Sequence, residues 1–486
     1  MSPNLPPLLP LVLADVPAAL RRALGQEGVP TREHHEGPAA GRFVLFDSQS
    51  RPAPALVTGQ TAIDVHEFRS ALGRDPFKAL DNERSRRAQW QVADLTVSEE
   101  VASIDKRAVR TALMALLRSR VEAAGGLWLR VAAFPYPYRS AFNFRLDHDE
   151  FIADDFDAVL AAMQGHEGAF SHYLCGASFE AHPDAVARLR GHDVGSHGYW
   201  HHTYIDEDEN LVNIARGIDV LRGAGIEASG FVAPHGRFNS GLVKVLEQLG
   251  VGHSSEFGLA YDDLPFYPAD SRVLQVPVHP ICLGICLEAA RERASDTPQA
   301  QRAAADALAE HFQRVAVAKY QAGEPVFLYG HPDGRLGRYP HILRQLLDTV
   351  GEFAAIWPTT LTEFAAWWRA RAELRIEVRE EPGRFAVRVA GRPHGYRFGV
   401  EYWRGEHVAP MPLDESVMRF APQALAFQSR KPRELPTMLR LDHPTTLRAN
   451  LLRYLDWEKV TPVGEINSTS VRGWMKRTLR QIRAKS

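Results

Sequence analysis

Residues 144–150 read Phe-Arg-Leu-Asp-His-Asp-Glu and end an apolar run that begins at Ala141. Side chains alternate along an extended strand, so Asp147 and Asp149 would point to the same side of the strand's end. Two carboxylates on one side can bind a cation, although acidic residues also often end strands or cap the next helix. The stretch therefore predicts a buried strand that ends in a chemically active pair.

Three later polar clusters each follow a short apolar segment. They read Ser-His-Gly-Tyr-Trp-His at 196–201, Ala-Pro-His-Gly at 233–236 and Tyr-Gly-His-Pro at 329–332. Each cluster alone is a weak signal, because loops often carry polar residues. Carboxyl ends of parallel strands meet at one edge of a sheet, where the chemistry of such folds is found. Together with 144–150, the clusters predict one metal-dependent hydrolytic site.

The region from 141 to 371 alternates short apolar runs with helical periodicity about seven times. Among the elements, we expect a strand over 230–233 and helices over 299–319 and 361–372, with a further helix over 447–455. Repeated strand-helix alternation predicts a parallel sheet, and closure into a (β/α) barrel is one of its few stable forms. Residues 10–133 read as a smaller α/β unit without a catalytic motif, in which the arginine-rich stretch 75–91 indicates a surface helix or loop. From 374 to 402 the apolar residues alternate with period two, which is typical of antiparallel sheet.

These changes of pattern predict a division of the chain into four segments. They are an N-terminal α/β supporting domain (1–135), a (β/α) barrel (136–372), a C-terminal β-rich accessory module (373–465) and a basic amphipathic tail (466–486). In the accessory module, Tyr396, Tyr402 and Trp403 can hold a glycan or pack against the barrel, and packing is the more frequent use of such aromatics.

Charge and cysteine content narrow the classes of function. The net charge of -2 gives no reason to expect nucleic acid as a partner. The three cysteines, Cys175, Cys282 and Cys286, argue by their odd number against a disulfide framework, so we expect buried free thiols.

Three sequence features bear on where the protein is located: the length of its apolar runs, its first residues and its basic tail. No apolar run reaches the ~20 residues of a membrane-spanning helix, and the first residues lack the basic start of a secretory signal, so we expect a cytoplasmic protein. The basic residues between 472 and 485 surround Trp474 and other apolar side chains. Such a tail can contact the inner membrane peripherally or remain a solvated end.

His197 and His201 stand four residues apart after a predicted strand. Two imidazoles at this spacing can reach one ion. One carboxylate completes a three-ligand set that leaves a position open for water, as a catalytic zinc site requires.

The ordered motifs resemble those of the NodB-homology polysaccharide deacetylases, carbohydrate esterase family four. The matching positions are Asp147-x-Asp149, His197-x-x-x-His201, Pro234-His235-Gly236 and Leu328-x-x-His331. The likeness covers residues 141–368, near half the chain, and does not extend to either flanking region.

The resemblance implies a distorted (β/α)7 barrel that removes an acetyl group from an amino sugar of a glycan or glycan precursor. It implies Asp149, His197 and His201 as ligands of a divalent metal, most simply Zn²⁺, with Co²⁺, Ni²⁺ or Mn²⁺ also fitting such a set. It implies Asp147 as general base and His331 as the general acid that protonates the departing amine.

The third motif differs from the family pattern in one position. The turn of Pro234, His235 and Gly236 would meet the substrate, with a backbone N–H near His235 holding the oxyanion. The arginine that normally precedes this proline and steadies the base is replaced by Ala233. Arg145 or Arg237 can take its place.

The support of the acid histidine also differs. The usual Asp-Trp pair is not visible around residues 276–280, and His279 or Asp333 can serve instead. His148, which separates two aspartates that are adjacent in much of the family, can itself be a metal ligand.

Two other functions remain open from the sequence. A catalytically weak glycan-binding scaffold would explain the lost arginine and Asp-Trp pair, and an amidohydrolase acting on a non-sugar amide would share the same fold. A separate base and acid favour the deacetylase, because a binding protein has no use for both. The expected partner is an acetylated sugar or glycan.

Overall fold

The computed structural model describes residues 5–36, 41–269, 271–294 and 297–440, with seven isolated positions beyond. Two predictions fall mostly outside the described residues. They are the tail at 466–486, including its basic side chains, and the helix expected over 447–455. Among the residues described, no helix combines the length and the apolar character needed to cross a bilayer.

The N-terminal part opens with a four-stranded parallel sheet. Its strands are β1 (Leu11–Ala14), β2 (Thr31–Glu33), β3 (Phe43–Phe46) and β4 (Thr61–Asp64), in the order β2-β1-β3-β4. Its helices are α1 (Ala18–Glu27), α2 (Glu67–Ala71), α3 (Pro76–Leu80) and α4 (Lys106–Ala123). All residues of β1 are buried, as expected for an apolar strand inside a parallel sheet.

An antiparallel hairpin, β5 (Ser85–Val92) and β6 (Leu95–Ala102), follows the parallel sheet. The prediction of a surface helix or loop for 75–91 is therefore wrong for its second half. Ala88, Trp90 and Val92 alternate with polar residues and are buried, so this segment forms a half-buried strand whose outer face carries Arg87, Gln89 and Gln91.

A five-stranded parallel sheet forms the centre of the molecule. Its five strands are β8 (Ser140–His148), β9 (Phe170–Leu174), β10 (Asp193–Ser196), β13 (Val326–Gly330) and β14 (Ile356–Pro358). Strand β7 (Trp128–Val131) comes before them in the chain and belongs to a different sheet. The short strands β11 (His253–Ser254) and β12 (Leu274–Gln275) pair with each other in parallel. Phe231 bridges to both Ser196 and Ser254 and so links this pair to β10. The chain is thus mixed α/β, and closure into a (β/α)7 barrel stays a prediction.

Helices follow the strands of the central sheet. They are α5 (Ala153–Met163), α6 (Gly176–Phe179), α7 (Pro183–Ala187), α8 (Glu207–Gly223), α9 (Ser240–Gln248), α10 (Leu283–Arg293), α11 (Pro298–Ala322), α12 (His341–Gly351) and α13 (Leu361–Ala372). The start of α13 is fixed by Thr360, whose hydroxyl accepts the Glu363 N–H at 3.1 Å.

Strand β8 is buried along its whole length and carries two different faces. Phe144 and Leu146 belong to the apolar core. Asn143 and Arg145 lie on the alternate, polar face, where Asn143 Nδ2 donates to Ser171 Oγ at 3.0 Å. This alternation sends Asp147 to the polar face at the carboxyl end of the strand.

The C-terminal part is antiparallel. Its strands are β15 (Arg375–Glu381), β16 (Arg384–Ala390), β17 (Gly399–Arg404), β18 (His407–Pro412), β19 (Val417–Phe420), β20 (Gln428–Ser429) and β21 (Met438–Arg440). They form a sheet β15-β16-β19 and a sheet β20-β18-β17-β7, while β21 pairs with β5. Because β7 and β5 precede residue 136, hydrogen-bonded ladders cross the predicted domain boundaries, and the division into domains stays a prediction.

The aromatic residues of this C-terminal part are used for packing. Tyr402 is buried and contacts Phe420 with ring centroids 5.5 Å apart. Tyr396 meets Trp367 of α13 edge-on at 5.3 Å. Trp403 lies under the guanidinium of Arg130, 4.5 Å from the ring centroid. Packing, the more frequent of the two uses, is what the structure shows for these side chains.

Candidate functional site

Asp149, His197 and His201 form a cluster at the carboxyl ends of β8 and β10. Each offers one ligand atom, and these atoms all lie within 4.8 Å of one another. Nε2 of His201 is 2.9 Å and Nε2 of His197 is 3.3 Å from Asp149 Oδ1. That oxygen is buried and receives no well-aligned hydrogen bond from any described residue. The cluster has the donor atoms and the proximity that a metal site requires.

The loop after β10 orients the first histidine of this cluster. Nδ1 of His197 lies 2.7 Å from the Val232 carbonyl, which directs Nε2 toward Asp149. Gly198 has φ 76°, and a Cβ there would come within 2.9 Å of the Asn213 side chain. The Asn213 amide oxygen accepts the N–H groups of Tyr199 and Trp200 at 3.0 and 2.7 Å. Glycine is therefore needed for the tight turn that brings both histidines to one point.

The charges in the cluster depend on one another. Burial by itself would raise the pKa of Asp149, but His331 and the two neighbouring imidazoles hold that pKa well below its usual range. Burial would likewise lower the pKa of His197, yet Asp149 and the charge of Asp147 raise it. The site thus keeps a carboxylate ionised in a buried place, which favours a cation.

Asp147 lies beside the cluster and is held by Arg145. Nη2 of Arg145 donates to Asp147 Oδ2 at 2.8 Å, and Nη1 donates to the Ser255 carbonyl at 2.8 Å. Asp147 Oδ1 is buried and has no hydrogen-bond partner among the described residues. Of the two arginines considered from the sequence, Arg145 is the one for which the structure shows a contact with Asp147, since it precedes that residue by two on the same strand face.

His331 follows β13 and faces Asp149. Its Nε2 is 3.4 Å from Asp149 Oδ2, and burial lowers its pKa to about 4, against the opposing charge of Asp149. Its Nδ1 lies 3.1 Å from Cys282 Sγ. His279 instead places Nδ1 2.7 Å from Asp262, and Asp333 Oδ2 is 3.3 Å from Arg335. The partner of His331 is therefore Cys282, and neither suggested substitute for the Asp-Trp pair occupies that position.

His148 is turned away from the cluster. Strand alternation places it on the face opposite Asp147, where its Nε2 lies 3.0 Å from His172 Nδ1 and its ring packs against Phe156 and Phe179. Burial lowers its pKa to about 3. The suggestion that His148 is a metal ligand is wrong, because its ring is committed to this second, buried contact.

The third motif forms a tight turn beside the cluster. His235 has φ 60°, an uncommon value for a residue with a side chain, and its ring centroid is 4.9 Å from that of His201. A Cβ on Gly236 would come within 2.4 Å of Phe257. The Gly236 N–H donates to the Ala233 carbonyl at 2.8 Å and is thus used inside the turn that Pro234 begins.

A cavity of about 400 Å³ reaches the cluster at Asp149 and His201. Its walls are Asp149, Glu150, Cys175, Ala177, Ser178, Trp200, His201, His202, Tyr204, Asp333 and Arg335. Burial, with the nearby charge of Asp149, raises the pKa of Asp333 to about 7. Arg335 was not predicted from the sequence, although its Nη1 is 3.9 Å from Asp149 Oδ2. Its position four residues after His331 is the only sequence feature that could have indicated it.

Comparison with known proteins bears on this region. Residues 146–253 match the family model described as polysaccharide deacetylase. This range includes the motifs Asp147-x-Asp149 and His197-x-x-x-His201. The matched region is of the polysaccharide deacetylase type. This confirms the resemblance predicted from the motifs, and it assigns the region to hydrolases of the carbohydrate deacetylase class. No curated protein matches the chain.

Several solved structures resemble about half of the chain at low identity. A protein from Mycobacterium smegmatis described as a candidate polysaccharide deacetylase is 19% identical, with TM-score 0.42, over 49% of this chain and 93% of its own. A family 4 carbohydrate esterase from Streptomyces lividans, in complex with acetate, is 14% identical, with TM-score 0.33, over 46% and 94%. A CE4 family pseudoenzyme from Bacillus anthracis is 13% identical, with TM-score 0.32, over 47% and 66%. With TM-scores this low, these likenesses assign neither residues nor function here.

Proposed function

We propose that this protein is a metal-dependent hydrolase that removes an acetyl group from an amino sugar of a glycan or glycan precursor. The observation that carries the proposal is the meeting of three components at one edge of the parallel sheet. These are the cluster of Asp149, His197 and His201, a separate carboxylate on Asp147, and a separate imidazole on His331. A metal-dependent hydrolase of amides uses a metal site, a base and an acid together, whereas a binding surface does not require this combination.

The donor set of the cluster fits a divalent metal. Two imidazole nitrogens and one carboxylate oxygen converge on one point, and the carboxylate oxygen Oδ1 of Asp149 has no other well-aligned partner among the described residues. Zinc is the first candidate, while cobalt, nickel and manganese accept the same ligands. When bound, such a metal would lower the pKa of a water ligand and polarise the amide carbonyl.

Asp147 is placed to act as the general base. Arg145 holds Oδ2 and leaves Oδ1 open, so the carboxylate has a fixed orientation and one oxygen that can take a proton from the attacking water. The guanidinium also keeps a buried negative charge compensated, which an isolated carboxylate at this depth would lack.

His331 is placed to act as the general acid. Its Nε2 faces the cluster at Asp149 Oδ2, so a proton on that nitrogen can reach an amine that departs from the same point. The amine of an amide is a very poor leaving group unless it is protonated. We assign the stabilisation of the oxyanion to the backbone near His235, whose turn lies beside His201.

The cavity supports a sugar as substrate. Its volume of about 400 Å³ lies within the range of small-molecule pockets. Trp200 and Tyr204 line it, and aromatic faces suit the apolar face of a sugar ring. A non-sugar amide remains the second candidate substrate. The scaffold hypothesis loses one of its reasons, because Arg145 supplies the contact that the missing arginine before Pro234 would have made.

Metal content tests the proposal directly. We expect about one metal per chain in the purified wild type and little in His201→Ala. The matched control is His148→Asn, which alters a neighbouring buried histidine outside the cluster and should keep the metal. Elemental analysis measures all three proteins, followed by acetate release from acetylated amino sugars. No metal in the wild type, even after incubation with zinc, would overturn the mechanism and favour a scaffold or a metal-free amidohydrolase.

A further inference from the structure

We propose that Cys282 is a positioning residue for His331, through a hydrogen bond between its thiol and Nδ1 of the imidazole at the first turn of α10. The proposal rests on the proposed function, in which His331 is the acid, and it adds a residue type that the resemblance did not suggest. The two atoms are 3.1 Å apart. Both side chains are buried, so water does not compete for the contact.

The sulfur is held in place by the start of the helix. Cys282 is the N-cap residue of α10, and its Sγ accepts the Ile285 N–H at 3.4 Å. With a lone pair occupied in this way, the thiol hydrogen is available to Nδ1 of His331. A hydrogen bond donated to Nδ1 places the ring hydrogen of the neutral imidazole on Nε2, the nitrogen that faces Asp149. In the protonated imidazole that acts as the acid, Nδ1–H would donate to the sulfur instead.

The next residues of the same turn fit the imidazole closely. A Cβ on Gly284 would lie 3.0 Å from the His331 backbone N and 3.1 Å from its Nδ1. A larger residue at 284 would therefore require the imidazole or the helix start to shift by a few tenths of an ångström. Cys282 and Gly284 together form a cradle that fixes the ring, and a thiol suits it because sulfur can donate to a neutral imidazole and accept from a charged one.

Other groups that might orient His331 are committed elsewhere. His279 meets Asp262 at 2.7 Å, and Asp333 meets Arg335 at 3.3 Å. Cys286, one turn further along α10, is equally buried but does not share the contact with Nδ1. The chain thus contains its own control for a merely structural thiol.

The test compares Cys282→Ala and Cys282→Ser with Cys286→Ala in the full-length protein. We expect Cys282→Ala to lower kcat by about 10- to 100-fold, the range seen for lost supporting hydrogen bonds, with KM and metal content unchanged. Cys282→Ser should recover most of kcat, since a hydroxyl can also donate and accept. Cys286→Ala should leave kcat within about twofold, because it removes volume without touching the imidazole.

The tautomer of His331 gives a readout that does not depend on activity. In protein labelled with ¹⁵N-histidine, the His331 signals should shift in Cys282→Ala and stay in place in Cys286→Ala. If Cys282→Ala fails to fold, Cys282→Val, which fills the space without a hydrogen-bond donor, takes its place and should shift the same signals. Unchanged signals and unchanged kcat in Cys282→Ala would overturn the proposal. Shifted signals in a protein that releases no acetate would support Cys282 as positioning residue while rejecting the deacetylase function.

Discussion

Among the described residues, Arg145 is the side chain that orients the proposed base, Asp147. Its guanidinium is fully buried and divides its donors between Asp147 and Ser255. Lysine keeps the charge but not the planar fork, so Arg145→Lys should leave Asp147 charged and poorly oriented. We expect kcat to fall by about 10- to 100-fold with metal content unchanged, measured by acetate release. Arg237→Lys is the control and should stay within about twofold. The reverse order of effects would transfer the supporting role to Arg237.

At this scale the sequence predicted what is local and missed what is set by packing. The ligand spacing was readable because alternation in a strand and the four-residue interval after β10 are local rules. The same alternation could have selected Arg145 over Arg237, because residues two apart on a strand share a face. The contact of Cys282 with His331 spans 49 residues and depends on how α10 packs, and no local pattern marks it.

Among the elements, the hairpin β5–β6 carries a buried acid. Glu99 faces inward, its Oε1 has no hydrogen-bond partner among the described residues, and burial raises its pKa from 4.5 to about 8. The folded protein therefore keeps a proton that the unfolded chain releases as pH rises above 4.5. Because the unfolded state then binds fewer protons, this group's contribution to stability is lost between about pH 4.5 and pH 8.

Glu99→Gln should remove that pH dependence. A neutral amide of the same shape replaces a carboxyl that is costly to ionise, so we expect a gain on the order of 1–3 kcal/mol at pH 8 and little change at pH 4.5. Thermal unfolding at both pH values measures the difference. Glu100→Gln is the control, since Glu100 lies on the other face of β6 and accepts a hydrogen bond from Ser85 at 2.6 Å. A gain that is equal at both pH values would rule out titration of Glu99 as the cause.

Long periodic stretches of sequence predicted helices and strands more successfully than short ones did. The helix predicted over 361–372 is found at those residues, and the long periodic stretch that became α11 was also evident. The strand predicted over 230–233 is a single bridge at Phe231, and β11, which is two residues long, was not foreseen. Segments this short contain too few residues for a period to show. In 75–91 the charged residues concealed a strand in which Ala88 and Trp90 alternate with polar side chains.

Across the whole molecule, the parts before and after the central sheet are joined to each other. Strand β17 pairs with β7 along Val400–Val131 and Trp403–Trp128. Arg130 Nε donates to Glu401 Oε2 at 2.7 Å and the same side chain reaches Glu27 of α1. One apolar cluster includes residues of all three parts, among them Leu11, Phe144 and Val400. Such continuity indicates cooperative folding, because the main apolar cluster is shared by all three parts.

Truncation tests this continuity. A chain ending at residue 372 would lose the ladder partner of β7 and the ring of Phe398, which stacks on Trp367 at 4.9 Å. We expect it to lose its cooperative thermal transition and to aggregate, since an unpaired strand and a large apolar face would both be exposed. A chain ending at residue 446 keeps every strand described and should unfold within a few degrees of the full protein. Calorimetry of both, with metal content as a second measure, decides the matter. A soluble 1–372 chain that unfolds cooperatively and binds metal would show that the β-rich part is a separable module, as its sequence pattern suggested, and that the ladder between β7 and β17 contributes little to the site.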